Sequence, residues 1–289
     1  LHLGEGFGLQ PHPLFDPEYY CSQSQTQVLA HVGALAHYLD NGGADDGDPH
    51  PLFQAPFYMD QFEMDSVPDS NFLIHYLNHG EQQGKLPNPL FDPGHYLELN
   101  PDLSVLKIPF LQHYAKSGGK ELRPTSLLFD ARWYTNGHPE AATQPGSPLS
   151  YYLTQGDKLG HNPHPLFDAS LYGSQHPELP DERGARVRHF VTAGGHDGSN
   201  PHQLFRSNFY LSQKPLLNGS NENLLFHYIR EGEALGLLPN PVFDSDYYEE
   251  HPAPLAALAY SKLEHFCRWG EANNRNPSIL FDKEMINII

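Results

Sequence analysis

One phenylalanine returns every 38 residues. Phe15, Phe53, Phe91, Phe129, Phe167, Phe205, Phe243 and Phe281 stand in PLFD, PLFQ, PLFD, LLFD, PLFD, QLFR, PVFD and ILFD, each 38 beyond the last. Tyrosine keeps the same phase at Tyr20, Tyr58, Tyr96, Tyr134, Tyr172, Tyr210 and Tyr248, and glycine at Gly4, Gly42, Gly80, Gly118, Gly156, Gly194, Gly232 and Gly270. Chance does not hold three columns in register over seven periods, and a fixed period of this length marks a repeat architecture. Seven repeats follow: 13–50, 51–88, 89–126, 127–164, 165–202, 203–240 and 241–278. Residues 1–12 read as the end of a preceding repeat and 279–289 as the start of a further one, so a segment of a longer array is expected. No repeat carries an insertion of the kind that grafts an active site onto such a frame.

Each repeat reads as two short helices. The Asp after the phenylalanine (Asp16, Asp92, Asp130, Asp168, Asp244, Asp282) suits an N-cap, and Pro17 and Pro93 suit the first helical position. Phenylalanine then falls at N′ and tyrosine at N4, a hydrophobic staple. Gln54 and Arg206 break the cap rule, so their helices should start more weakly, by about 1 kcal/mol each. Proline ends the first helix at Pro101, Pro139, Pro177 and Pro215, and earlier at Pro252. The second helix carries His-Tyr or a variant of it: His37-Tyr38, His75-Tyr76, His113-Tyr114, Tyr151-Tyr152, His189-Phe190, His227-Tyr228 and His265-Phe266. Leucine or valine three residues before the aromatic, and Leu39, Leu77, Leu153, Val191 or Ile229 one after it, share a face toward a core. The glycine column four residues on is expected to end the helix as a left-handed C′ residue. A unit this small is near the roughly 40-residue floor for folding alone and must bury its aromatics against neighbours. The expected fold is therefore all-α: tandem 38-residue two-helix repeats stacked as an α-solenoid or superhelix, with ring closure left open.

Composition narrows the partners. Basic residues number 17 against 35 acidic, a net charge of −18, which argues against nucleic acid, where clustered Lys and Arg are needed, and against anionic lipid. No apolar run is long enough to span a bilayer, and no leader peptide is visible.

Candidate sites are few. Of 19 histidines, ten fall in two columns: the His-Tyr column and His12, His50, His164 and His202 before the repeat. One histidine per repeat makes a ladder that does not chelate, since ligands must converge within about 2.1 Å of a metal; hydrogen bonds to backbone or an adjacent turn are expected. Asp40, Asp45, Asp46 and Asp48 lack the spacing of a calcium loop and read as a solvated acidic loop. Cys267, in the column of Leu39 and Leu153, reads as a buried thiol, and Trp133, in the column of Phe57, as core. Trp269 shares its column with Asn41, His79, Ser117, Gln155, Ala193 and Glu231, an exposed face, and is the candidate for contact with a sugar or a partner. No nucleophile elbow, phosphate loop, zinc helix or dinucleotide fingerprint occurs, so no catalytic residue, no metal and no cofactor is expected.

The segments HYLNHGEQQGKLPNPLFDPGHYLELNPDL (75–103) and HYIREGEALGLLPNPVFDSDYY (227–248) allow a resemblance to be named. The whole chain resembles the tandem HY…G…PLFD…YY repeats of large bacterial proteins, often beside glycosyltransferase modules for capsule, O-antigen or rhamnan-type polysaccharide assembly. The resemblance implies a repeat type, and no transferase residue is present to carry over. The expected function is a non-catalytic scaffold or interaction module of a larger bacterial protein, with a protein or glycan partner. The alternative is a carbohydrate-binding or accessory segment of a polysaccharide-synthesising glycosyltransferase. Bacterial cytoplasm and cell surface both remain open as its place.

Overall fold

The computed structural model describes residues 12–23, 33–41, 47–63, 71–105, 107–180, 184–213, 222–251 and 260–281. Gly4, Gly42, Asp45, Asp46, Pro215, Pro252, Asp282 and nearly all of residues 1–12 lie outside them. The chain divides into two compact segments, Leu1–Leu159 and Gly160–Ile289. Both are all-α, built from repeated pairs of short helices; among the described residues the only β pairing is isolated bridges such as His50 with Phe53 and His164 with Phe167. No helix among them is long and apolar enough to cross a membrane.

The first helices of the repeats are Pro17–Gln23, Ala55–Met59, Pro93–Leu99, Ala131–Gly137, Ala169–Gln175, Ser207–Gln213 and Ser245–Glu250. Their starts follow the expected chemistry. Asp92, Asp130, Asp168 and Asp244 each accept a backbone N–H from the first turn through the side chain. Gln54 makes no such bond, and its helix has five residues where five of the others have seven. A substitute donor sink exists there: Asp48, buried rather than solvated, accepts the Ala55 N–H at 2.7 Å. Asn162 and Asn200 do the same for Ala169 and Ser207. The helices preceding Pro101, Pro139 and Pro177 stop at Leu99, Gly137 and Gln175. The chain after Pro101 and Pro139 turns once more, as Pro101–Val105 and Glu140–Thr143, so these two repeats hold a third short helical turn.

Every second helix with a fully described C-terminal half changes pitch at its aromatic. Phe72–His75 is α and Tyr76–Gly80 is π; the same switch occurs at Tyr114, Tyr152, Phe190, Tyr228 and Phe266. The i+5 bond is seen directly, Glu81 N–H to Tyr76 O at 3.0 Å and Gly119 N–H to Tyr114 O at 2.9 Å. The glycine column is the last residue of this π turn, not the left-handed C′ residue the sequence suggested. Four residues on, Gly84, Leu122, Gly160, Gly198, Gly236 and Asn274 take positive φ. There the chain ends the helix: Lys85 N–H bonds Gly80 O at 2.9 Å and Gly84 N–H bonds Glu81 O at 3.1 Å, the paired bonds of a Schellman ending.

Three rings pack inside each repeat. Phe91 meets Tyr96 at 5.1 Å and Tyr114 at 5.6 Å, and Tyr96 meets Tyr114 edge-on at 5.9 Å and 88°. The trio recurs in every repeat, and its rings are buried throughout, so the staple and the second-helix aromatic form one cluster. The residue after that aromatic does not behave as one column: Leu153 is buried while Leu39 is 46 % exposed. Trp133 likewise lies half-buried, where Phe57 is buried. In six of the seven repeats a backbone bond ties the start to the end, as from Asp16 N–H to Pro49 O at 2.8 Å and from Asp244 N–H to Pro277 O at 2.9 Å.

Candidate functional site

The recurrent histidines share one kind of side-chain partner, where backbone or an adjacent turn was expected. Each uses Nδ1 on a tyrosine of the first helix: Tyr20 with His37, Tyr58 with His75, Tyr96 with His113, Tyr172 with His189, Tyr210 with His227 and Tyr248 with His265, at 2.5–2.9 Å. Burial lowers the pKa of His75, His113, His189 and His265, and raises the phenols, Tyr248 to about 12. In those four pairs both partners are therefore neutral near pH 7, and the phenol O–H donates to Nδ1. The glycine column completes the contact. A Cβ on Gly80 would stand 2.1 Å from the Tyr58 hydroxyl, and on Gly232 1.9 Å from that of Tyr210. Tyrosine, histidine and glycine are thus one structural joint read as three columns. The constant 17-residue gap from Tyr to His was the signal available for it. In the repeat where Tyr151 stands for histidine, the His138 ring packs on Tyr134 at 4.9 Å, as His176 does on Tyr172 at 4.7 Å.

The histidines before each repeat serve the turn. His50, His164 and His202 accept the N–H two residues on through Nδ1 at 3.1–3.2 Å, a place filled by the Asn88 and Asn240 side-chain oxygens elsewhere. Burial drives the His50 pKa down to about 4. Both histidine ladders are therefore occupied with folding.

One cluster has the spacing of a relay. Ser199 Oγ lies 2.9 Å from His176 Nε2, and His176 Nδ1 lies 3.0 Å from Glu178. The serine hydroxyl, however, donates to Asp197 at 2.7 Å. The amides beside it are committed, Ser199 N–H to Gly194 O and Asp197 Oδ1, and Asn200 N–H to Gln175 Oε1. With its hydroxyl proton given to Asp197 and those two amides engaged, Ser199 serves to close this turn.

Cys267 is half-buried, and burial pushes its thiol up to about 12, which leaves it protonated and inert. Trp269 is on the surface, 44 % exposed, with Tyr260 beside it at 39 %. Behind them the Arg268 guanidinium lies 4.3 Å from the Tyr260 ring. Arg268 is paired with Glu264, both side chains almost wholly buried; burial alone would raise the Glu264 pKa, but His164 at 3.3 Å and Arg268 outweigh it and hold it low. Sequence had singled out Trp269 by its column; Tyr260 and Arg268 were missed because their proximity depends on how the helix start folds back over the π turn. No family model matches the chain, and no match was found among curated proteins or solved structures.

Proposed function

We propose that the chain is a non-catalytic repeat scaffold, its helix pairs stacked as an α-solenoid, presenting an acidic surface to a protein partner. The observation that carries this reading is how the recurrent chemistry is spent: the tyrosine, histidine, capping aspartate and glutamine columns that could act on a ligand are instead bonded within the repeats. Gln23, Gln61, Gln175 and Gln213 illustrate it, each gripping the backbone of the residue 25 on through both its amide oxygen and its amide nitrogen. Contacts between repeats support the stacking. Glu81 accepts N–H groups of Phe110 and Leu111 in the next repeat at 2.7 and 3.2 Å, and Glu233 accepts the Lys262 N–H of the next repeat at 2.8 Å. Nearest-neighbour stacking makes stability a running sum. Deleting whole repeats from either end should therefore lower the unfolding temperature in steps while keeping the helical spectrum. Turnover of a nucleotide sugar by the chain alone would overturn the reading.

A second reading, a carbohydrate-binding or accessory segment of a polysaccharide-synthesising glycosyltransferase, draws on the exposure of Trp269. Binding of a neutral oligosaccharide to the intact chain is its test.

A further inference from the structure

Among the described residues, the last full repeat carries two large rings where the others carry none. Position 269 is Asn, His, Ser, Gln, Ala or Glu in the other repeats, and position 260 is Ile108, Gly146, Gly184 or Glu222 in four of them. Here Trp269 and Tyr260 stand open to solvent with ring centroids 5.6 Å apart and planes at 51°. Both are held from behind. The Arg268 guanidinium supports Tyr260 and reaches within 5.7 Å of the indole, and two bonds to Glu264, from Nε at 2.9 Å and Nη2 at 2.6 Å, fix it in turn. His265 backs the indole at 5.3 Å and is itself pinned by the Tyr248 hydroxyl. Rings set in place before binding lose little freedom when a ligand arrives.

The chemistry of this seat selects its occupant. Glu264 takes up the positive charge of Arg268, and that arginine side chain is only 4 % exposed, so no cation is offered to a carboxylate or phosphate. Exposed Glu271 two residues on and a net charge of −18 repel anions further. A protein anchor needs a deep, desolvated pocket, and two tilted rings make an open V. A pyranose suits it: the apolar C–H face lies on an aromatic ring while the hydroxyl rim stays in water. We infer that Tyr260 and Trp269 seat one neutral pyranose residue of a glycan, the indole as the main stacking surface and the phenol as the side wall. The inference rests on the second reading above and names its site and ligand class.

The experiment uses the intact chain, with cellohexaose, maltohexaose and mannohexaose as neutral probes and polygalacturonate as the anionic one, binding being read by calorimetry. Tryptophan fluorescence in a Trp133→Phe background reports on Trp269 alone. The expected result is saturable binding of at least one neutral hexaose near 1 mM, insensitive to salt. Trp269→Ala should weaken it at least tenfold, Tyr260→Ala about threefold, and Trp269→Phe should retain most of it. Both positions are exposed, and an unchanged helical spectrum confirms the fold. Neutral-glycan binding that survives both alanine variants would overturn the seat and leave the second reading standing. No neutral binding at about 10 mM would sink both, and binding of polygalacturonate alone would refute the neutral ligand class.

Discussion

Two junctions in the first segment join neighbouring repeats by opposite means. At the second-to-third junction, Glu81 sends its carboxylate forward to the Phe110 and Leu111 N–H groups and takes the Tyr76 hydroxyl at 3.1 Å. The helix it serves begins at Pro109, which has no capping side chain of its own. At the third-to-fourth junction the same position is Gly119, and a Cβ there would stand 2.5 Å from that of Ser147, which caps its own helix through Ser150 N–H. The second segment contains both solutions again. Glu233 reaches the Lys262 N–H at 2.8 Å, whereas Gly195 leaves room for Asn223, whose Nδ2 donates to Phe190 O at 3.2 Å. Two positions 28 residues apart thus act together at the start of the later helix, Ser261 keeping its own bond to the Glu264 N–H beside the Glu233 carboxylate. Either the earlier repeat lends a carboxylate, or it yields its side chain so that the later repeat can press close.

Breaking the glycine form should have the largest effect. A Cβ on Gly195 would fall 1.8 Å from Asn223 Nδ2 and 2.8 Å from Phe190 O. Gly195→Ala should destabilise by about 3 kcal/mol in urea unfolding. Adding Asn223→Gly should recover only part, since the backbone oxygen remains.

Next comes acid. With the His50 pKa driven to about 4 from 6.5, the unfolded chain takes the proton first. Its contribution is whole above about pH 6.5 and is lost as pH falls toward 4, on the order of 2–3 kcal/mol. Glu81 and Glu233 act oppositely: burial raises their pKa values, so the folded chain binds their protons first and gains stability as pH falls. His50→Asn should keep the turn, as Asn88 does, and flatten the acid limb of a stability-versus-pH curve.

The carboxylate form is expected to respond less. Glu81→Ala should cost about 1–2 kcal/mol by orphaning the Phe110 and Leu111 amides. Glu81→Gln, which keeps an acceptor and removes a buried charge, should be near neutral at pH 7. Smallest of all, Gln54→Asp should add about 1 kcal/mol or less by restoring the missing cap; chemical denaturation reads both.

The features legible in the sequence were those set within a few residues. Asp92 as cap and Phe91 with Tyr96 as staple follow from adjacent positions and needed only the period to be trusted. The ending of the second helix misled because the chain makes a further turn beyond the π segment, Gln83 N–H bonding His79 O at 3.1 Å, so the left-handed position falls at Gly84 and not Gly80; the second glycine column, Gly84, Gly160, Gly198 and Gly236, carried the correct signal. The Tyr58–His75 bond left only its constant 17-residue spacing as a signal, since the contact itself needs two helices already docked. Trp269 could be picked out as exposed from its column, but the guanidinium and phenol that give the indole a setting come together only through tertiary packing.

The central claim is that the repeats hold one another up through these shared caps and closures. Circular dichroism melting of the third repeat alone, residues 89–126, beside the intact chain tests it most directly. The account predicts a peptide with little helix and no cooperative transition, while the intact chain melts cooperatively. A sigmoidal unfolding transition in the isolated repeat, with the helical content it has in the chain, would contradict it.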